Sequence, residues 1–416
     1  MTDDNYLISC CNLLINMDMK RKSDLNRRSF LKASVMGATG ALISGKAIAS
    51  ATNNEPAVIR RQLGNTDIEL PIVSFGVMRS DNASLIKSAM KMGFVHFDTA
   101  HGYQEGRNET MLGEIFKEVP RSSFVIATKV GADGIDRETG NPGPQTTKQG
   151  IIEKFELSLK RLQLSYVDIL YLHGVSSTNT AMAPQLLEAF DELKKQGKIR
   201  YAGMSTHRNE PEVIQAAIDS NFYDVVLTAI NFKHALASEI KAKAEAASKK
   251  GIGIVAMKTM AGGYLDRERQ HPVNCSAALK WVMQDTNIHT SIPGIVSFDQ
   301  MMQNFGIMED LNFTPQEKAD LEEAQHYAGL YCDGCTNCNQ QCTKRLPVQD
   351  YMRAYMYTYG YRNFENAGSL LADLGESSNP CENCQECTVQ CPKGFPIGDR
   401  ISDVARLRDV PKEFIV

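Results

Sequence analysis

The stretch "SLKRLQLSYVDILYLHG", Ser158–Gly174, joins two kinds of pattern. Its first part closes an amphipathic run, "IIEKFELSLKRL" (151–162), with apolar residues at helical spacing. The second, Val167–Leu172, is apolar apart from Asp168 and stops at His173. A short apolar run preceded by a helix predicts a strand buried on both faces of a parallel sheet. The unit recurs along the chain. Strand-like runs appear as "IVSFG" (72–76), "FVHFDTA" (94–100), "FVIATKV" (124–130), "IRYAGMS" (199–205), "DVVLTAIN" (224–231), "GIGIVAMKT" (251–259) and "IHTSIPG" (288–294). Amphipathic stretches such as "APQLLEAFDELKKQ" (183–196) and "EIKAKAEAASKK" (239–250) separate them. Eight strand–helix units in about 255 residues have the size of a (β/α)8 TIM barrel, which we place over residues 57–312. An open doubly wound sheet is the alternative, but no GxGxxG turn follows the first strand.

Chemistry in such a barrel gathers at the C-terminal ends of the strands. Asp98 ends the second predicted strand, with Tyr103 just beyond it; Lys129 lies at the end of the third and His173 ends the fourth. Taken singly, Asp98 fits a strand-end cap and His173 a packed core imidazole. Four such residues converging on one mouth point instead to a catalytic site. An ammonium beside a phenol is expected to favour the phenolate and lower a pKa that starts near 10. A carboxylate pairs with that ammonium, and an imidazole can orient a carbonyl oxygen.

Together with "FDTAHGYQEGRNETMLGE" (97–114), "ELKKQGKIRYAGMST" (192–206) and "IPGIVSFDQMMQN" (292–304), the opening stretch resembles the aldo-keto reductase family over residues 60–310. The resemblance implies an oxidoreductase that interconverts carbonyl and alcohol on a small carbonyl or sugar-like substrate. It implies a tetrad of Asp98, Tyr103, Lys129 and His173, with Tyr103 giving a proton while a nicotinamide, NADP or NAD, delivers hydride. The cofactor positions would be Ser205, Thr206, Met257, Lys258 and Asn304. Departures from the family pattern fall on the same site. Leu227 stands where a carboxamide-binding Gln is usual, Met257 replaces a stacking aromatic residue, and Gly294 and Gln300 occupy the usual phosphate-binding Lys and Arg positions. Gln cannot replace a cation that reads a 2′-phosphate.

Residues 313–416 form a second region. "FTPQEKADLEEAQ" opens a helix, with Thr314 as N-cap, Pro315 at the first position and Glu317 completing a capping box. Eight of the eleven cysteines then fall in two runs of identical spacing: Cys332, Cys335, Cys338 and Cys342, and Cys381, Cys384, Cys387 and Cys391 followed by Pro392. C-x2-C-x2-C-x3-C-P is the bacterial ferredoxin pattern, in which the fourth cysteine of each run ligates the other cluster. We therefore expect a small, mainly helical, ferredoxin-like domain with two [4Fe–4S] clusters, with Cys342 and Cys391 exchanged between runs. Structural zinc and disulfides are the alternatives, and the repeated four-cysteine spacing disfavours both. The aromatic stretch "YMRAYMYTYGY" (351–361) is expected to form a helix packing this region onto the barrel. Barrel plus ferredoxin-like tail resembles the iron–sulfur branch of the same family. Cys275 is expected to be a small buried hydrophobe in the seventh helix.

Residues 1–49 read as a leader. "NRRSFLKASVMGATG" (26–40) places Arg27 and Arg28 ahead of an apolar run too short to span a bilayer, and Ala47-Ile48-Ala49 offers a cleavage site. This resembles a twin-arginine signal, with Met17 or Met19 the better start. The expectation is export by the twin-arginine translocase to the periplasm, with no stable membrane anchor. Folding before export suits a protein loaded with clusters in the cytoplasm. A net charge of −4 with no basic tract after the leader argues against nucleic acid as a partner. A redox partner protein is expected if the clusters pass electrons. A hydride moves two electrons and a cluster one, so the second reading is an iron–sulfur electron carrier whose barrel is a docking or ligand-binding platform. The long polar loop "GADGIDRETGNPGPQTTKQG" (131–150) is expected to cover the mouth.

Overall fold

A computed structural model describes residues 57–375 and 379–411 together with Phe414. The predicted leader, including Arg27 and Arg28, lies outside the described residues.

A two-stranded antiparallel hairpin comes first, β1 (Arg60–Gln62) and β2 (Glu69–Pro71). Eight parallel strands follow: β3 (Phe75–Gly76), β4 (His96–Asp98), β5 (Val125–Val130), β6 (Val167–Leu172), β7 (Ile199–Thr206), β8 (Val225–Ala229), β9 (Gly253–Met257) and β10 (Thr290–Ser291). Each pairs with its sequence neighbour. The sheet closes where Ser74 N donates to Ser291 O at 2.7 Å and Gly76 N to Pro293 O at 3.0 Å. A helix follows every strand: α1 (Ala83–Met92), α2 (Arg107–Phe116), α3 (Lys148–Leu162), α4 (Pro184–Lys195), α5 (Glu210–Ser220), α6 (Ala237–Lys249), α7 (Cys275–Met283) and α8 (Phe298–Glu309). All eight predicted strand runs coincide with barrel strands.

The hairpin was not foreseen. Its strands are three residues each and β1 is half-exposed, so neither carries a legible alternation. It plugs the N-terminal end of the barrel. Leu63, Ile68 and Leu70 join Ala127, Ile169, Tyr171, Val225, Leu227 and Val255 in one interior cluster. Each Leu, Ile or Val among them, fully buried, contributes roughly 1.5–3 kcal/mol.

Beyond the barrel, α9 (Pro315–Ala324) starts on the expected capping box, with Thr314 and Glu317 each bonding the other's backbone. Next come α10 (Val348–Tyr355), a π-helical turn at Met356–Gly360, α11 (Phe364–Asp373) and α12 (Ile397–Ala405). These helices have no core of their own. Tyr351, Met352, Tyr355, Leu371, Phe395 and Ile401 share one apolar cluster with Phe232, Ala261, Leu265 and Ala278 of the barrel. The aromatic stretch therefore packs the C-terminal region onto the barrel, and it does so over the strand ends. Cys275 opens α7 but keeps some solvent contact, so it is less buried than expected. Among the described residues no helix is long and apolar enough to cross a membrane.

Candidate active site

Asp98 is the last residue of β4 and Lys129 lies in β5 beside it. Their side chains are 2 % and 1 % exposed and joined by a short ion pair. Lys129 Nζ also donates to Thr99 O at 2.7 Å and reaches Tyr103 Oη at 3.5 Å. His173 follows β6, its N–H bonded to Val130 O, and its ring meets Tyr103 edge-on at 6.2 Å. The structure thus brings all four predicted residues together. Buried polar groups hold the loop that carries Tyr103. Asn108 donates to Val77 O and Ser80 O and accepts from Thr99, while Arg161 donates to His101 O.

Burial pushes the Asp98 carboxyl up and the Lys129 ammonium down, and each charge pulls the other back. Tyr103 corrects the expectation from sequence. Its pKa lies well above 10, raised first by burial, then by Asp98 and then by Tyr357. Lys129 does not lower it because Asp98 already balances that charge. Tyr103 is therefore a firmly protonated phenol, suited to give a proton to a carbonyl oxygen. The His173 pKa falls to about 3, through burial and then the cations Lys129, Arg353 and Lys258. It faces the mouth as a neutral imidazole.

The predicted cofactor residues divide. Ser205 and Thr206 end β7, next to the strand that leads to His173, and Met257 ends β9. Ser205 Oγ accepts from Gly174 N at 3.0 Å, and Thr206 Oγ1 donates to Arg208 O at 2.9 Å. This end fits a nicotinamide ring beside the tetrad, although its hydroxyls are partly engaged and Leu227 is wholly buried. The 2′-phosphate end does not fit. Gly294 offers no side chain, and Gln300 Oε1 accepts from Val296 N at 2.9 Å. Asn304 is buried in α8. Lys258 follows β9 with a left-handed φ of 57°. Its pKa falls to about 7, by burial and then by Arg353.

The sequence reading missed Arg353, His207 and Tyr357. Arg353 is the one charged residue in "YMRAYMYTYGY", and that isolation is the signal that could have found it. The long loop after β5 is pinned to its neighbours, with Arg208 donating to Arg137 O and Arg137 to Asp373 O.

All nine cysteines among the described residues are free thiols. Burial pushes Cys332 up to about 12 and Cys338 and Cys381 up to about 11. The charges that add to these shifts reveal the neighbours. Cys338 responds to Cys335, Cys391 and Cys342, whereas Cys381 responds to Cys384, Cys387 and Cys342. Among the described residues, no three His, Cys, Asp or Glu side chains are gathered into a metal-binding group. Thiols are the donors a [4Fe–4S] cluster takes, and the charges of Cys391 and Cys342 act across the two runs, but the expected ligand sets are not gathered among the described residues.

A closed parallel barrel with a Tyr–Lys–Asp–His mouth defines a class of carbonyl-handling oxidoreductase. Residues 72–276 match the aldo/keto reductase family, so this part of the barrel is similar to an aldo/keto reductase domain. An uncharacterized oxidoreductase of Bacillus subtilis, YqkF, is 33% identical over 177 residues; the match spans 40% of this chain but only 55% of that protein. L-Galactose dehydrogenase of Arabidopsis thaliana is 24% identical, over 64% of this chain and 92% of its own. L-Glyceraldehyde 3-phosphate reductase of Escherichia coli K12 is 23% identical over the same shares. The holo form of an aldo-keto reductase from Bacillus halodurans superposes with a TM-score of 0.52 at 24% identity, covering 64% of this chain and 96% of that one. It supports the fold.

Proposed function

We propose that this chain is an exported oxidoreductase interconverting a carbonyl and an alcohol on a small substrate, with Tyr103 as the general acid. The observation that carries the reading is the buried Lys129–Asp98 pair, with Lys129 Nζ 3.5 Å from Tyr103 Oη. As Tyr103 gives its proton to the carbonyl oxygen, the phenolate left behind faces the Lys129 ammonium. Neutral His173 donates an N–H to the same oxygen and orients it. General-acid help of this kind is worth ~10²–10⁴-fold. A nicotinamide held by Ser205, Thr206 and Met257 would supply or take up the hydride. Cys332, Cys335, Cys338 and Cys391 would hold one [4Fe–4S] cluster and Cys342, Cys381, Cys384 and Cys387 the other, each passing single electrons to a redox partner or bracing the C-terminal region. The twin-arginine motif supports periplasmic destination through the translocase.

Tyr103→Phe tests the reading in protein purified anaerobically. Turnover of carbonyls should fall by ~10²–10⁴-fold with cluster reduction by dithionite unchanged. An unchanged turnover would overturn the catalytic role and favour the electron-carrier reading.

A further inference from the structure

The C-terminal region closes the barrel mouth with one continuous strap. At one end, Arg353 on α10 donates from Nη1 to His207 Nε2 at 3.1 Å, just past the end of β7. In the middle, the π-helical turn crosses the loop after β9. A Cβ on Gly360 would stand only 2.5 Å from Gly262 O, so the two backbones touch and only glycine fits there. At the far end, Arg79, beyond β3, donates to Tyr361 O and lies 5.5 Å over the Tyr361 ring. Between these anchors Tyr357 comes close enough to Tyr103 to affect its ionisation, and Arg353 does the same to His173.

The strap brings a charge the barrel does not balance. Arg353 pairs with Asp350 through Nη2, and its bond to His207 fixes that imidazole as an acceptor at Nε2, neutral with its proton on Nδ1. The Arg353 charge acts on Lys258, whose ammonium makes no hydrogen bond or ion pair among the described residues. Of the carboxylates whose charge reaches it, Asp350 is bonded to Arg353, and Glu210 meets His234 through Oε1 at 3.4 Å while its Oε2 has no partner among the described residues. Lys258 is also held in a backbone conformation that side chains other than glycine rarely adopt, by Asn231 Nδ2 and Ala261 N bonding its carbonyl, each at 3.2 Å. Two cations whose charges act on one another and both reach His173 are unfavourable together until an anion joins them. Strain and unpaired charge at one spot point to a ligand.

We propose that Arg353, Lys258 and His207 form an oxyanion subsite contributed jointly by barrel and strap, and that the substrate is a carbonyl compound or alcohol bearing a carboxylate close to its reacting carbon. This deepens the oxidoreductase reading and rests on it only for the reaction, not for the binding. The guanidinium fork offers the planar donor pair a carboxylate requires, and Lys258 adds a point charge. The same oxyanion chemistry occurs in a dinucleotide's pyrophosphate, so the test must separate the two sources.

Isothermal titration calorimetry on anaerobically purified protein would compare acetate, glycolate and D-gluconate with acetamide, ethylene glycol and D-glucitol. The anions should bind about 10- to 100-fold more tightly than their neutral partners. Arg353→Gln and Lys258→Met should each remove most of that difference, and Arg353→Lys should restore part of it. Lys258→Met leaves the Arg353 bonds intact, so it remains informative if Arg353→Gln unfolds. NAD affinity should be the same in wild type and Arg353→Gln. Equal binding of anions and neutral partners, or a difference that survives both variants, would overturn the subsite. NAD binding that weakens while carboxylate binding holds would assign the cations to the pyrophosphate and overturn it too. Protein that binds the anions but reduces no carbonyl would refute the oxidoreductase reading and leave the subsite standing. Reduction of neutral carbonyls without anion preference would do the reverse.

Discussion

Lys129→Met tests the electrostatic core of the site. Asp98 and Lys129 are almost completely buried, and the second Asp98 oxygen has no partner among the described residues. With Lys129 gone, nothing balances the carboxylate, and removing one partner of a buried pair costs about 3–5 kcal/mol. An independent route gives the same size. An uncompensated buried carboxyl takes up a proton; doing so at pH 7, against an ordinary pKa of about 3.9, costs about 1.4 kcal/mol per pH unit, or roughly 4 kcal/mol. The pH dependence follows. In the variant the folded-state pKa of Asp98 lies above its unfolded value, so the folded state binds the extra proton and stability falls as pH rises. The penalty should therefore be greatest near pH 7–8 and should shrink by about 1.4 kcal/mol per unit toward pH 4. Urea unfolding at pH 8 and pH 5 would read it through Trp281, the chain's one tryptophan, which sits in α7 with Lys241 3.8 Å above its ring. The Asp98→Asn, Lys129→Met double variant should recover most of the loss. A penalty under about 1 kcal/mol at pH 8, or one unchanged at pH 5, would refute the claim that these two charges hold each other in place.

Other outcomes follow from neighbouring parts of the structure. Gln300→Arg should tighten NADP binding by at least about tenfold and leave NAD alone, since it restores a cation where the wild type has none; nucleotide titration checks it. Under the proposed cluster assignment, Cys391→Ser should lower iron from about eight per chain to about four and expose Cys335 and Cys338, not Cys384 and Cys387, to alkylation, because the Cys391 charge acts on Cys338. Lys258, with a pKa of about 7, loses its charge as pH rises through neutrality, so the affinity for carboxylates should fall between pH 6 and 8 in wild type and stay flat in Lys258→Met.

The barrel was legible because its strands are buried on both faces and read as apolar runs, and because Asp98, Lys129 and His173 stand at or next to their ends. Periodicity could not show β1 and β2, which are too short to repeat. The Tyr103 shift went the other way from the sequence reading for a different reason. Proximity to a lysine was visible in the chain order, but the depth of burial and the prior claim of Asp98 on that lysine are properties of the packed mouth. Arg353 was invisible as a site residue because 146 positions separate it from His207, its partner. Only the oddity of one charge among aromatic side chains marked it.

The strap also bears on why a barrel of this kind carries a cysteine-rich tail. Its residues share a core with the barrel loops, so the tail cannot be removed without exposing Phe232, Leu265 and the mouth itself. The first cysteine run is fixed to the same end of the barrel. Tyr331, beside Cys332, packs 5.8 Å from His234, and Lys393, near Cys391, donates to Lys233 O and pairs with Asp333. Cys332 is close enough to Lys258 to raise its pKa. Under the proposed cluster assignment, the redox group nearest the mouth would be the one built from Cys332, Cys335, Cys338 and Cys391, separated from the substrate by Lys258. An anionic substrate at Arg353 and Lys258 would then sit against a negatively charged cluster across a single cation. Binding the substrate and reducing the cluster would each compete for that cation's charge, so reduction should weaken carboxylate binding, and carboxylate binding should make the cluster harder to reduce by the same free energy.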